Sequence, residues 1–187
     1  VFTRVIGDRA RGFDTLPPGY AGPLYLEISP RTFPVRVRKG SRLSQMRFRV
    51  GDTRLSIDEH IALHKAQTLV VDANEAVGEG VALSIDLKGA ERKGLIGFRS
   101  RRHTNVIDMD IKDTLDVLDY WEPLINRGSD EFILDPDEFY ILVSRESVHV
   151  PPAYAAEMVP FDPLVGEFRV HYAGFFDPGF GYESGKL

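Results

Sequence analysis

Over most of the first fifty residues, apolar and polar positions alternate, and Gly and Pro break the pattern into short runs. Pro23 to Ile28, Phe33 to Arg38 and Leu43 to Val50 each follow a period of two, which sends successive side chains to opposite faces of a β-strand. The period changes at Ser56 to Gln67, where a hydroxyl cap, early acids and apolar residues at helical spacing predict the best helix of the chain. Beyond it, Thr68 to Asp72, Val81 to Leu87, Glu131 to Leu134, Glu138 to Ser144 and Glu167 to Tyr172 read as further strands. Asp113 to Trp121 reads as a short helix that Pro123 stops. The acidic, Gly-containing stretch Asn74 to Gly80 reads as a linker, with a boundary near residue 78. The expectation is a mainly β protein with one or two short helices.

Two turns echo one another. Pro17-Pro18-Gly19-Tyr20-Ala21-Gly22 and Asp177-Pro178-Gly179-Phe180-Gly181 each follow a mixed apolar and polar stretch. An offset of about 160 residues is far too long for a solenoid or propeller repeat, so it reads as two copies of one β-domain. The chain opens without Met on the apolar segment Val1 to Ile6 and stops in a polar turn after Glu183, so it reads as the middle of something longer.

Composition narrows the function. The 187 residues carry a net charge of −5, which argues against a dominant electrostatic footprint for nucleic acid or an anionic membrane. No run reaches the length of a membrane span, which leads to the expectation of a soluble, cytoplasmic protein. Without cysteine there is neither a disulfide scaffold nor a thiolate zinc site.

Several groups could carry chemistry. In Leu24-Tyr25-Leu26-Glu27-Ile28, alternation sets Leu24, Leu26 and Ile28 on one face and Tyr25 with Glu27 on the other. Glu27 is then a solvent-facing glutamate or, beside a pocket formed where Gly19 and Gly22 let backbone approach a ligand, a general base; residue pattern favours the first. Lys39 to Met46 is a basic turn entering a strand. Arg99, Arg101, Arg102 and His103 form the densest basic cluster, either a phosphate site or a solvated edge, with the edge favoured. His60 and His64 stand four apart on the predicted helix, where both could face a metal, but the glutamate precedes the first histidine and the metalloprotease motif is not met.

These residues resemble a known group, the dUTPase-like superfamily, and within it the dCTP deaminase family. The segment Pro18-Gly19-Tyr20-Ala21-Gly22-Pro23-Leu24-Tyr25-Leu26-Glu27 looks like the family's Pro-Gly-Trp-x-Gly turn leading to a strand that ends in Leu-Glu. Gly40-Ser41-Arg42-Leu43-Ser44-Gln45 is similar to its Gly-x-Arg-Ile-x-Gln signature. Glu138 to Val143, Glu146 to Pro151 and Asp177 to Gly181 resemble the same order of strands in a second copy.

The resemblance implies a distorted β-barrel in two tandem copies, both incomplete, with residues 1–78 in the first and 79–187 in the second. It implies hydrolysis of dCTP to dUTP and ammonia without zinc, with Mg2+ carried by the triphosphate. Glu27 takes the place of the water-activating acid/base, Tyr25 and Leu26 that of the strand backbone lining the base, and Gly19, Tyr20 and Gln45 join the binding set. The family's Ser-Ser-x-x-Arg phosphate motif falls upstream of Val1, and in the second copy Pro160, Phe161 and Leu164 stand at its positions, which implies a degenerate site there. Pro17 replaces the family's Asp before the first Pro-Gly, Asp177 keeps it in the second, and Asp14 lies three residues early. A homo-oligomer or intramolecular pseudo-oligomer is implied, with no nucleic-acid or membrane partner. A dUTPase, a bifunctional deaminase and diphosphatase, and a non-catalytic nucleotide-binding β-domain stay open as alternatives.

Overall fold

The computed structural model describes residues 2–9, 12–71, 77, 80–126, 128–159 and 174–181. In chain order these form β1 (Phe2–Gly7), β2 (Leu24–Ser29), β3 (Val35–Arg36), α1 (Ile57–Ala66), β4 (Val70–Val71), β5 (Leu95–Ser100), β6 (Ile107–Asp108), α2 (Val117–Tyr120), β7 (Trp121–Ile125), β8 (Tyr140–Leu142), β9 (Ser147–Val148), β10 (Ala156–Glu157) and β11 (Phe175–Phe176). A 3-10 turn covers Ala90–Arg92. The fold is mainly β with few helices, and among the described residues its strands make small sheets, none of them closed into a barrel. No helix among the described residues is long and apolar enough to cross a membrane. The expected strand Glu167 to Tyr172, most of the Asn74 to Gly80 linker, the boundary at residue 78 and the positions Pro160, Phe161 and Leu164 lie outside the described residues.

The chain divides into two compact units that interleave along the sequence. The first holds Val1–Phe48, Gly97–Ile125 and Phe132–Ile141. Its longest element is an antiparallel ribbon in which β1 pairs with β2 over six residues, from Phe2 opposite Ser29 to Gly7 opposite Leu24. In the same unit β3 runs parallel to β6, and β7, β5 and β8 lie in that order in a three-stranded sheet. Its packing is aromatic: the Phe33 ring meets Tyr120 and Trp121 edge-on at 5.5 and 5.2 Å, and Trp121 meets Phe139 at 6.1 Å. Edge-to-face rings gain from their quadrupoles beyond the area they bury, and Tyr120 is the buried member.

The second unit holds Arg49–Ile96, Asn126–Glu131 and Leu142–Leu187. Leu69, Val70, Val77, Ile96 and Val150 are its buried aliphatics among the described residues, with β4 antiparallel to β9 and β10 to β11. Glu146 is buried there too, and its carboxylate is satisfied by the Ser84 backbone N–H at 2.7 Å and the Ser84 hydroxyl at 2.5 Å.

The helix α1 forms where expected, and its ends explain it. No residue of it is fully buried, Ile61 and Leu63 being half-buried, so full burial is not what holds it. Ser56 instead accepts from the Glu59 N–H at 3.3 Å, and Glu59 accepts from the Ser56 N–H at 2.8 Å, a reciprocal capping box. Asp58 and Glu59 at its start and His64 and Lys65 at its end suit the helix dipole. Ser56→Ala is expected to lower unfolding free energy by about 1 kcal/mol, read as a lower urea midpoint at unchanged slope.

Three expected strands are corrected. Leu43 to Val50 alternates but pairs with no strand among the described residues, and Met46, Phe48 and Val50 stay exposed, the last two about nine-tenths so. Val81 to Leu87 makes a single bridge, Ile85 to Ser144, because the Asp86 side chain accepts from the Lys88 and Gly89 N–H groups and turns the chain. Around Glu131 to Leu134, backbone donors go to side chains: Glu131 N–H to Ser129 Oγ at 3.0 Å and Asp135 N–H to the Tyr140 hydroxyl at 3.0 Å. Elsewhere strands form but shrink, Phe33 to Arg38 to β3 and Glu138 to Ser144 to β8.

Candidate active site

The turn before β2 is built by its two prolines and two glycines. Tyr20 N–H donates to the Pro17 carbonyl at 3.2 Å, with Pro18 and Gly19 in the middle and Gly19 at φ +76°. Such a turn needs positive φ at its third residue, which glycine adopts without strain, while Pro18 presets the second. The Tyr20 ring then folds back over Gly22, where an added Cβ would lie 3.0 Å from its hydroxyl. That hydroxyl accepts from the Asp8 N–H at 2.8 Å and donates to the Pro23 carbonyl. Gly22 therefore makes room for Tyr20, and Tyr20 ties the end of β1 to the start of β2.

Asp14 performs a second tie. At φ +59° its own N–H donates to the Val5 carbonyl at 2.9 Å, and its carboxylate accepts from the Val5 N–H at 2.8 Å. The loop after β1 is thus folded back onto that strand.

In β2, Tyr25 lies opposite Ile6, Leu26 opposite Val5 and Glu27 opposite Arg4. Glu27 is exposed, Leu26 half-buried and Tyr25 about half exposed. The period-two alternation is realised in the pairing, and on the face away from Glu27, Leu24 and Ile28 are 44% and 42% exposed with the half-buried Leu26 between them. On its side away from β1, β2 has no described partner strand, and alternate residues aim their N–H and C=O groups outward there. Gly19, Tyr20, Tyr25, Leu26 and Glu27 thus share one hairpin. Gln45 does not join it: it accepts from Arg47 at 3.0 Å within the exposed stretch after the basic turn.

That basic turn is anchored by a network that sequence reasoning missed. Arg38 donates to both oxygens of Asp108 at 2.6 Å and to Asp110 at 3.0 Å, while the Ser41 hydroxyl donates to Asp110 at 2.8 Å and accepts from the Arg38 N–H at 2.9 Å. Arg36 and Arg38 at i and i+2, and Asp108 and Asp110 likewise, are the signal that was available; that β3 and β6 run parallel and face to face was not in it. The hydrogen bonds from Arg38 come first in holding the Asp108 carboxyl down at about 2, and its guanidinium is raised in return. Since Asp108 is lowered from an ordinary 3.8, its contribution to stability is present above that value and is lost as pH falls toward 2. Carbon-detected NMR should show Asp108 titrating near 2, returning toward 3.8 in Arg38→Met.

The basic cluster expected as a phosphate site or a solvated edge is committed internally. Arg99 holds Glu122 at 2.7 Å and Asp135 at 3.4 Å, Arg102 holds Glu138 at 2.7 Å, and Arg101 donates to the Leu118 carbonyl at 2.9 Å. Of the two helix histidines, His64 accepts from the Leu69 N–H at 3.2 Å just past the helix end. Among the described residues no group of three or more His, Cys, Asp or Glu has the arrangement to hold a metal ion.

The second turn repeats the geometry of the first. Phe180 N–H donates to the Asp177 carbonyl at 3.0 Å, with Gly179 at φ +85°. Its following glycine serves another purpose: at Gly181 an added Cβ would lie 2.4 Å from the Val148 carbonyl oxygen.

Comparison with known proteins matches the whole of this ground. Residues 1–52 match the family model "2'-deoxycytidine 5'-triphosphate deaminase (DCD) N-terminal domain", and residues 56–187 match the model of the C-terminal domain of the same family. Among solved structures, a crystal structure of 2'-deoxycytidine 5'-triphosphate deaminase from Agrobacterium tumefaciens is 67% identical with a TM-score of 0.90 over 98% of this chain. The chain spans 54% of that protein's length. No curated protein matches.

Proposed function

Because this chain belongs to the 2'-deoxycytidine 5'-triphosphate deaminase family, we propose that it carries a working site for hydrolysis of dCTP to dUTP and ammonia, with Glu27 as general acid/base. The observation that carries the reading is the match of the family's N-terminal domain to residues 1–52, which include the tied turn and the exposed glutamate of β2. In this reading the Glu27 carboxylate takes a proton from water as its oxygen bonds to cytosine C4. It passes that proton to the ring nitrogen, then takes the proton of the new C4 hydroxyl and passes it to the amine, and the C4–N bond breaks as C4=O forms, releasing ammonia. Positioned proton transfer of this kind is worth about 10²- to 10⁴-fold in rate.

The open edge of β2 supports Leu26 as the backbone that reads the pyrimidine edge: Val5 gives its own N–H and C=O to Asp14, so its partner Leu26 aims both groups outward, while Tyr25 turns its backbone to β1 and would line the base with its side chain on the Glu27 face. Gly19 and Tyr20 act by shaping that strand's entry, while the part assigned to Gln45 rests on the family resemblance alone, since its side chain is engaged with Arg47. Magnesium belongs with the triphosphate as part of the substrate, and the chemistry uses no zinc, since zinc deaminases need two Cys ligands and this chain has none.

The tandem reading is kept in the same spirit. The two turns of matched geometry support two related β-units of the dUTPase-like type, and the exposed Leu24 and Ile28 on the face away from Glu27 support the homo-oligomer reading. A cytoplasmic enzyme of nucleotide metabolism follows. The test is a product assay on the full-length protein with dCTP: dUTP with stoichiometric ammonia supports the reading, dUMP with pyrophosphate turns it to the bifunctional form, and no product leaves a binding domain.

A further inference from the structure

Arg4 stands directly opposite Glu27 in the ribbon. Opposed residues of an antiparallel pair share a face, with Cβ atoms about 5 Å apart. The arginine is held there by rings: its guanidinium carbon lies 4.7 Å from the Phe2 ring centre and 4.9 Å from that of Phe13. Phe13 reaches this place through the Asp14 tie to Val5, so a chain of specific contacts runs from Asp14 through Phe13 to Arg4. Arg36, Arg38, Arg99 and Arg102 each hold a carboxylate, whereas Arg4 has aromatic faces and, among the described residues, no ion pair. Stacking on rings uses the faces of a guanidinium and leaves its in-plane N–H donors available, in the fork that matches an oxyanion.

We propose that Arg4 is a substrate-binding residue that takes an anionic oxygen of the nucleotide's phosphate chain while the base of the same molecule meets Glu27. This rests on the deaminase reading for the identity of the nucleotide, but not for the existence of the anion site. Glu27 and Arg4 then divide one face of the ribbon between proton transfer and charge recognition. Tyr25, on the same face beside Glu27, has no charge to offer a phosphate.

The test uses the full-length protein with Arg4→Met and Arg4→Lys. Calorimetric titration with inorganic tripolyphosphate should show affinity lower by about 10- to 100-fold in Arg4→Met, the range expected when a charge-assisted hydrogen bond is removed. Arg4→Lys should fall between, keeping the charge but losing the planar fork. In turnover, KM for dCTP should rise by a similar factor with kcat nearly kept, since the contact forms in ground and transition states alike. Unchanged tripolyphosphate affinity in Arg4→Met, or a fall in kcat with KM unchanged, would overturn the proposal. Should Arg4→Met not fold, Phe13→Leu removes one ring and keeps the charge; it should weaken tripolyphosphate binding several-fold, and wild-type affinity there overturns the proposal equally. If tripolyphosphate binds through Arg4 while dCTP yields no ammonia, the anion site stands and the deaminase reading falls.

Discussion

Glu27→Gln in the full-length protein is expected to cut ammonia release from dCTP roughly 10³-fold while dCTP affinity stays within about threefold. The amide has the size of the carboxylate and keeps an acceptor oxygen, but it cannot take a proton from water and hand it on. Glu27 is exposed on β2 and takes part in no described hydrogen bond network, so the replacement should leave the melting temperature unchanged to within about a degree or two, as for ordinary surface positions. Loss of rate with folding and binding kept is the signature of proton transfer. Near-normal turnover would remove Glu27 from the mechanism, whatever the family membership of the chain.

The largest structural effect is expected at Gly181. Alanine there would meet two costs together: φ +74°, which a Cβ disfavours, and a carbonyl oxygen of Val148 only 2.4 Å from the new atom. Strain at positive φ and overpacking against backbone each cost roughly 1–3 kcal/mol, so about 3 kcal/mol in all is expected. For a chain of this size that lowers the melting temperature by roughly 6–12 °C. Gly19→Ala is the control, for its φ is +76° but nothing lies within 4 Å of the added Cβ. It should cost about 1 kcal/mol, the left-handed penalty alone. Equal destabilisation by the two replacements would show that the Val148 contact is not what Gly181 serves.

The contrast between these turns shows where sequence reading succeeds. Pro-Gly followed by an aromatic was enough to place both turns, because Pro18 and Pro178 preset one dihedral and Gly19 and Gly179 supply another within the same four residues. The α1 helix was readable for the same reason, its capping box being closed between Ser56 and Glu59. Glycines outside the turn's own geometry were not readable. Gly22 was taken as a place for a ligand to approach, and in the fold that space belongs to the Tyr20 ring.

Strands were the weaker part. Leu43 to Val50 has the alternation of a strand as surely as β2 does, but pairing needs a second backbone, and alternation carries no information about which backbone arrives. The family motifs supplied Glu27, Tyr25, Leu26 and Gln45 as candidates, and the first three came out on one strand while Gln45 came out bound to Arg47.

What the sequence by itself determined, then, is everything closed within a few residues: the two Pro-Gly turns, the capped helix, the alternation of β2, and the motif that assigns the chain to its family. Tertiary structure decided the rest. Only the register of β1 against β2 sets Arg4 across from Glu27, only the parallel pairing of β3 with β6 brings Arg38 to Asp108 and Asp110, and only the fold engages Arg99, Arg101 and Arg102 with partners far along the chain. The physical reason is range: dihedral preference and capping act between neighbours, whereas ion pairs and strand pairing join residues whose closeness exists only after the chain has folded.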